Sequence, residues 1–117
     1  MNNKLLGQSG EDMAVKYLYA KGHEILARGF KAKTGEIDII SRELDTIHFV
    51  EVKTRTSLEY GLPREAVTPE KMKHIKNTAQ LYIRKMNEEI KHRSSYLPGY
   101  KYSIDVVEVL INHIEGV

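Results

Sequence analysis

Four side chains suited to metal-assisted chemistry fall at Glu11, Asp38, Glu51 and Lys53. Asp38 lies in Gly35-Glu36-Ile37-Asp38-Ile39-Ile40, and Glu51 and Lys53 lie in Phe49-Val50-Glu51-Val52-Lys53-Thr54-Arg55. Both stretches alternate as strands do, so every second side chain shares a face. Ile37 and Ile39 then oppose Glu36, Asp38 and Ile40, and Val50 and Val52 oppose Phe49, Glu51 and Lys53. A hairpin symmetric about Leu44-Asp45 sets Asp38 opposite Glu51, Ile40 opposite Phe49 and Glu36 opposite Lys53. Opposed residues have Cβ atoms about 4.5–5.5 Å apart, and like charges there repel. A hard divalent cation, which takes carboxylate oxygens, would resolve the conflict. Such carboxylates can hold Mg²⁺ or Mn²⁺ over a phosphodiester, where the metal lowers the pKa of a bound water and neutralises phosphate charge. Asp38, Glu51 and the carbonyl of Val52 are the candidate ligands. Glu11 is a candidate support for the metal or its water, and Lys53 for stabilising transition-state charge or orienting the attacking water. The same stretch also fits a half-exposed hairpin whose charges face water and pair loosely. Leu44-Asp45 is not a preferred two-residue turn, and a bulge would shift the register.

The elements that must position these groups can be read in order. Residues 8–21 form a helix, with Gly7, Ser9 and Gly10 as the break before it and Gly22 as its left-handed stop. Ala14, Val15 and Leu18 make its apolar side, flanked by Met13 and Tyr17, and Glu11 falls in the middle of that side. A carboxylate aimed at a core is costly unless paired or metal-bound. In a first turn it also complements the helix dipole and can stay wet at the core's edge. Residues 23–31 form a strand with Ile25, Leu26 and Phe30, and a turn at 31–35 leads into the hairpin, giving an antiparallel meander. Residues 57–67, with Tyr60-Gly61-Leu62-Pro63, form a loop, either the rim of a site or an ordinary crossover.

Thr68 as N-cap, Pro69 and Glu70 start a second helix. Its apolar stripe is Met72, Ile75, Ala79, Ile83, Met86 and Ile90. Lys73, Lys76, Gln80, Arg84 and Lys91 gather opposite, a basic ridge suited to a nucleic-acid backbone or simply a solvated face. Lys71, beside the free N–H groups of the helix start, suits a phosphate contact. After a loop over residues 92–101, residues 102–111 form a last strand. Its nearly continuous apolar run suits burial on both faces and parallel pairing after a crossover helix. Asp105 within it reads as structural. The expected fold is α/β in the order αβββαβ, a mixed central sheet flanked by helices.

The chain has 117 residues, 41% of them hydrophobic and 29% charged, which fits a single domain over residues 1–117 with one modest core. It contains no cysteine, which excludes disulfides, thiol nucleophiles and cysteine zinc sites and agrees with a reducing, cytoplasmic setting. No apolar run reaches membrane-spanning length, and the first residues lack the apolar core of a signal peptide, so no membrane partner is expected. The net charge of +2 says little about nucleic acid by itself; the placement of the charges matters more. The histidines, at positions 23, 48, 74, 92 and 113, match no H-E-x-x-H spacing, which speaks against a zinc hydrolase. Phosphate-binding glycine loops and a G-x-S-x-G elbow are also missing.

Glu11, then Gly35-Glu36-Ile37-Asp38, then Phe49-Val50-Glu51-Val52-Lys53-Thr54-Arg55 resembles the PD-(D/E)xK nuclease superfamily, most like archaeal Holliday-junction resolvases. More closely, the chain resembles the YraN-type family of uncharacterised bacterial proteins. The likeness spans nearly the whole chain, through Gly10, Gly22, Gly61, Pro63, Lys71 and Asp105-Val106-Val107. Departures are Ile37 where some nucleases have Pro, Tyr60 for a usual Phe, and Gly29 for a usual Asn at the edge of the first strand. The resemblance implies a restriction-endonuclease-like core, a Mg²⁺-type site at Asp38, Glu51 and Val52, and catalytic roles for Glu11, Asp38, Glu51 and Lys53. Arg55 closes the motif and joins Lys71, Lys73, Lys76 and Arg84 as candidate nucleic-acid contacts. The implied activity is a metal-dependent endonuclease on branched or damaged DNA, with DNA favoured over RNA. The alternatives are a nucleic-acid-binding protein that does not cut, and an interaction domain with a structural metal site. Resolvases of this kind work as dimers, so a homodimer is a further expectation.

Overall fold

Two glycines near the start of the chain expose what shapes the first helix. The computed structural model describes residues 3–56, 67–94 and 98–111, with only the backbone described for residues 3–6 and 56. Helix α1 spans Asn3–Ala20, so Gly7 and Gly10 lie inside it and do not break it. A Cβ at Gly10 would overlap the side chain of Thr54. Close packing, not a turn, therefore requires this glycine, despite a helical cost of about 1 kcal/mol relative to alanine. The end of α1 is as expected: Gly22 takes φ 94°. The His23 and Gly22 N–H groups donate to the carbonyls of Leu18 and Tyr19, each at 3.0 Å. These paired bonds are those of a left-handed glycine cap, and they fix the direction in which His23 leaves the helix.

Strands β1 (Glu24–Ala32), β2 (Gly35–Glu43) and β3 (Thr46–Thr56) follow as an antiparallel meander. Helix α2 (Pro69–Arg93) then crosses over, and β4 (Lys101–Ile111) pairs parallel with β3. The sheet order is β1-β2-β3-β4. This αβββαβ arrangement, a mixed sheet with a helix on either face, is consistent with a restriction-endonuclease-like core. The expectation that the last strand is buried on both faces is corrected: β4 is an edge strand. Val107 and Val109 pack on the α1 side, whereas Val106 is 38% and Leu110 59% exposed. An apolar run of β-branched residues marks a strand but does not say whether both faces are covered.

Helix α2 begins at Thr68, whose hydroxyl accepts the Lys71 N–H at 3.1 Å, with Pro69 in the first turn. Its stripe buries Ala79, with Tyr82, Ile83 and Met86 beside it, against Ile37, Ile40, Ile47 and Phe49. The β1–β2 turn is clamped to this helix. The Thr34 and Thr78 hydroxyls are 2.7 Å apart, and a ring nitrogen of His74 lies 2.9 Å from the Thr34 carbonyl. On the other face, Ala14 and Leu18 of α1 pack on Ile39 and Val50.

Strict alternation in β2 is broken. Ile39 packs toward α1, but Ile37 and Ile40 both pack toward α2. The break lies at Asp38, across from Gly29, which has φ 63°; the β1–β2 register is the same on either side, Arg28↔Ile39 and Phe30↔Ile37, and shifts only between Ile25 and Ala27. A left-handed residue inside a strand interrupts the pleat, and glycine accepts that conformation without steric cost. The pairing of Ile40 with Phe49 holds. The β2–β3 ladder ends at Ile39↔Val50, so Asp38 with Glu51 and Glu36 with Lys53 are not ladder pairs. The opposite end closes in the two-residue turn Leu44-Asp45, with Leu44 at φ 53°. Of the loop expected at 57–67, residues 57–66 lie outside the described residues, as do residues 95–97 of the second loop. No described helix is long and apolar enough to cross a membrane.

Candidate active site and a histidine cluster

The break in β2 decides where Asp38 goes. Freed from the ladder, its Oδ2 accepts the backbone N–H of Val52 at 2.8 Å. Glu51, one residue earlier on β3, is on the α2 side, and its buried Oε2 lies 3.0 Å from Lys71 Nζ. The Thr68 cap holds the first turn of α2 and so positions Lys71. The carboxyls of Asp38 and Glu51 reach each other closely enough to share a proton. Burial first, and then this hydrogen bond, push Asp38 up to about 7, while the Val52 N–H pulls the other way. The Glu51 and Glu11 charges add to the rise. Glu11 is also raised, by burial first; Arg28 opposes the rise, and Glu36, Asp12 and Glu51 reinforce it. Glu11 is partly exposed, so it stands at the edge of the core and looks onto the acidic pair.

The basic residues divide. Lys53 lies on the Glu51 side of β3 by alternation and pairs in register with Glu108 of β4. Arg55, only 13% exposed, turns its Nε to the Glu108 carboxylate. Lys71 is engaged with Glu51 and does not stand free at the helix start. Lys73, Lys76 and Arg84 are exposed along α2.

A second group lies toward the turn end of the same hairpin. His23, Glu43 and His48 each offer one ligand atom, and these atoms lie within 4.8 Å of one another, so the three could coordinate a divalent metal. The His23 and His48 rings are 4.7 Å apart at their centroids. Burial, followed by the His48 charge, lowers the pKa of His23. His48 Nδ1 lies 2.7 Å from Asp105 Oδ2, and the Ser103 hydroxyl donates to the other oxygen of Asp105.

The model of the uncharacterised protein family UPF0102 matches residues 10–109. The chain belongs to the UPF0102 family. A UPF0102 protein of Caldicellulosiruptor saccharolyticus is 45% identical over 112 residues, covering 96% of this chain and 87% of that one. One from Clostridium botulinum is 46% identical over 114 residues, covering 97% and 86%. One from Syntrophomonas wolfei is 42% identical over 119 residues and covers 96% of each chain.

The UPF0102 match includes both groups of side chains. The acidic group was visible in the linear sequence, but the histidine cluster was missed, because its members come from the α1 cap, the end of β2 and the start of β3. The symmetric hairpin register already held the signal. It pairs Ser41 with His48, and Glu43 lies two residues further along the Ser41 face. A candidate site made by strand pairing leaves no contiguous ligand motif in the chain.

Proposed function

We propose that this UPF0102 protein is a single nuclease-like domain, spanning residues 1–117, that hydrolyses phosphodiester bonds in nucleic acid. Branched or damaged DNA is the favoured substrate, ahead of RNA, with Mg²⁺ or Mn²⁺ as the cofactor and a cytoplasmic homodimer as the working form. The observation that carries this reading is the placement of Asp38, held by the Val52 N–H at 2.8 Å, next to the buried Glu51 at the lysine-bearing end of β3. A part-buried and a buried carboxyl side by side fit a cation, and the Lys71 ammonium lies 3.0 Å from Glu51 Oε2. Asp38, Glu51 and the Val52 carbonyl would hold the metal, which supplies charge neutralisation at the phosphate and an activated water.

The chain's own groups do the positioning. The Val52 N–H orients Asp38. Glu11 faces the pair from α1 and can hold a water there. Lys53 offers positive charge where it develops on the phosphate. Arg55, Lys71, Lys73, Lys76 and Arg84 complete the proposed contacts to the nucleic-acid backbone. A second reading, binding without cutting, is favoured by the Lys71–Glu51 ion pair, which neutralises Glu51 without a metal.

Four-way, flap and linear DNA, and RNA, incubated with the purified protein in Mg²⁺ or Mn²⁺ separate the two. Cleavage that disappears in Asp38→Asn and in Glu51→Gln supports the nuclease. Binding without cleavage supports the second reading, and the absence of both defeats the two together.

A further inference from the structure

The histidine cluster carries more than three nearby ligand atoms. His48 bonds Asp105 through Nδ1, which assigns that nitrogen the proton and leaves a lone pair on Nε2. His48 Nε2 is buried and has no hydrogen-bond partner among the described residues. His23 likewise uses Nδ1, 2.9 Å from the Ser41 hydroxyl, and its Nε2 lies 4.0 Å from Glu43 Oε1. Two imidazoles and a carboxylate thus each bring a ligand atom within 4.8 Å of the others.

We propose that His23, Glu43 and His48 form a metal site, separate from the Asp38–Glu51 pair, that takes a nitrogen-preferring divalent ion of the Zn²⁺ class. Two imidazoles and one carboxylate, with a fourth position open, suit zinc, whereas Mg²⁺ demands an oxygen set. Bonds of about 2.0–2.1 Å to a tetrahedral ion put neighbouring ligand atoms about 3.3 Å apart. The 4.8 Å limit on the present separations leaves at most about 1.5 Å to close, and Glu43, 42% exposed, has the freedom to swing inward. Asp105 is the positioning residue: a carboxylate on the far nitrogen of a ligating histidine fixes its tautomer and orientation. Asp105 is itself held by Ser103. The ion would join the capped end of α1 to β2 and β3 directly, and to β4 through Asp105. At about 3.3 Å per residue, Glu43 lies about 16 Å along β2 from Asp38, so the two sites can be tested apart.

Calorimetric titration of the untagged protein with Zn²⁺, Co²⁺ and Mg²⁺ tests the proposal. The expected result is one Zn²⁺ or Co²⁺ per chain, a higher melting temperature when loaded, and no heat from Mg²⁺ that His48→Gln removes. Glu43→Gln and His48→Gln should each weaken Zn²⁺ binding at least tenfold. Asp105→Asn should weaken it about 10–100-fold and shift the visible bands of bound Co²⁺. The Asp38→Asn/Glu51→Gln double variant should bind Zn²⁺ as the parent does. Because Glu43 is part-exposed, Glu43→Gln keeps the test decisive if His48→Gln fails to fold. Absence of Zn²⁺ and Co²⁺ binding would overturn the site. So would binding that survives Glu43→Gln undiminished, or binding lost in the Asp38→Asn/Glu51→Gln variant.

Discussion

The two ends of the β2–β3 hairpin are built in opposite ways. From Ile39 to Glu43 the strands pair regularly up to the turn, and that regularity sets Ser41, Glu43 and His48 on one face before His23. Past Ile39 the ladder stops, and its loss lets the Asp38 carboxyl take the Val52 N–H and meet Glu51. Register orders Glu43 and His48 of the first group, and the glycine cap of α1 brings His23 to them. The second uses a backbone donor in place of a ladder bond to aim a side chain. The chemistry divides along the same line: imidazoles with fixed partners at the regular end, and at the irregular one two neighbouring carboxyls, one of them held by a backbone N–H.

The strongest way to break this comparison is to disable one end and measure both. Asp38→Asn or Glu51→Gln should lower metal-dependent cleavage by on the order of 10²–10³-fold, the scale of losing a group that stabilises transition-state charge. His48→Gln should leave cleavage in Mg²⁺ intact. Equal losses from both substitutions would show that the two ends are one functional unit.

Much of this layout was legible in the sequence, for reasons that particular residues make plain. Alternation marked β2 and β3, and Thr68-Pro69 marked the start of α2, because those signals are local. The turn position fixed the register from Glu43↔Thr46 to Ile39↔Val50. The break at Asp38 was not legible, because it depends on a left-handed Gly29 in the neighbouring strand. Symmetric pairing therefore brought Asp38 to Glu51 for an incomplete reason: the carboxyls meet, but not as a ladder pair. Gly10 was misread as a helix breaker because its role depends on Thr54, far along the chain. The edge position of β4 and the engagement of Lys71 by Glu51 are likewise tertiary facts.

Acidity should separate the two ends by sign. Asp38 rises from 3.8 to about 7 on folding, so its contribution to stability is fully present below pH 3.8 and is lost as pH rises through about 7. His23 moves the other way: its folded value lies below 6.5, so its contribution is present above pH 6.5 and lost as pH falls through the lowered value. Urea unfolding of the metal-free protein across this range should show the first slope flattened in Asp38→Asn and the second flattened in His23→Gln. The same slope in both variants would contradict the assignment.

The two helix glycines test whether close packing at the acidic end matters as much as charge. Gly10→Ala forces a Cβ onto Thr54 and should cost about 1–3 kcal/mol, as overpacking does. Gly7→Ala meets nothing within 4 Å and should gain about 0.5–1 kcal/mol from helix propensity. Thermal melts read both signs. Because Gly10 adjoins Glu11, Gly10→Ala should also reduce cleavage while leaving Zn²⁺ binding at His23 and His48 unchanged.

The smallest effect is expected at the turn beyond Glu43. Leu44 is 89% exposed and holds φ 53°, a conformation that costs an ordinary side chain about 1–2 kcal/mol. Asp45 does not share the positive φ, a pattern for which glycine is preferred at the first turn position. Leu44→Gly removes the strain but adds about 0.5–1 kcal/mol of chain entropy to be lost on folding. The net gain should be roughly 0.5–1 kcal/mol, a rise of a few degrees in melting temperature. Zn²⁺ affinity should not move, because the ladder from Glu43↔Thr46 to Ile39↔Val50, rather than the turn residue, sets Glu43 before His48. An affinity change that tracks the stability change would locate the order of the histidine end in its turn instead of its register.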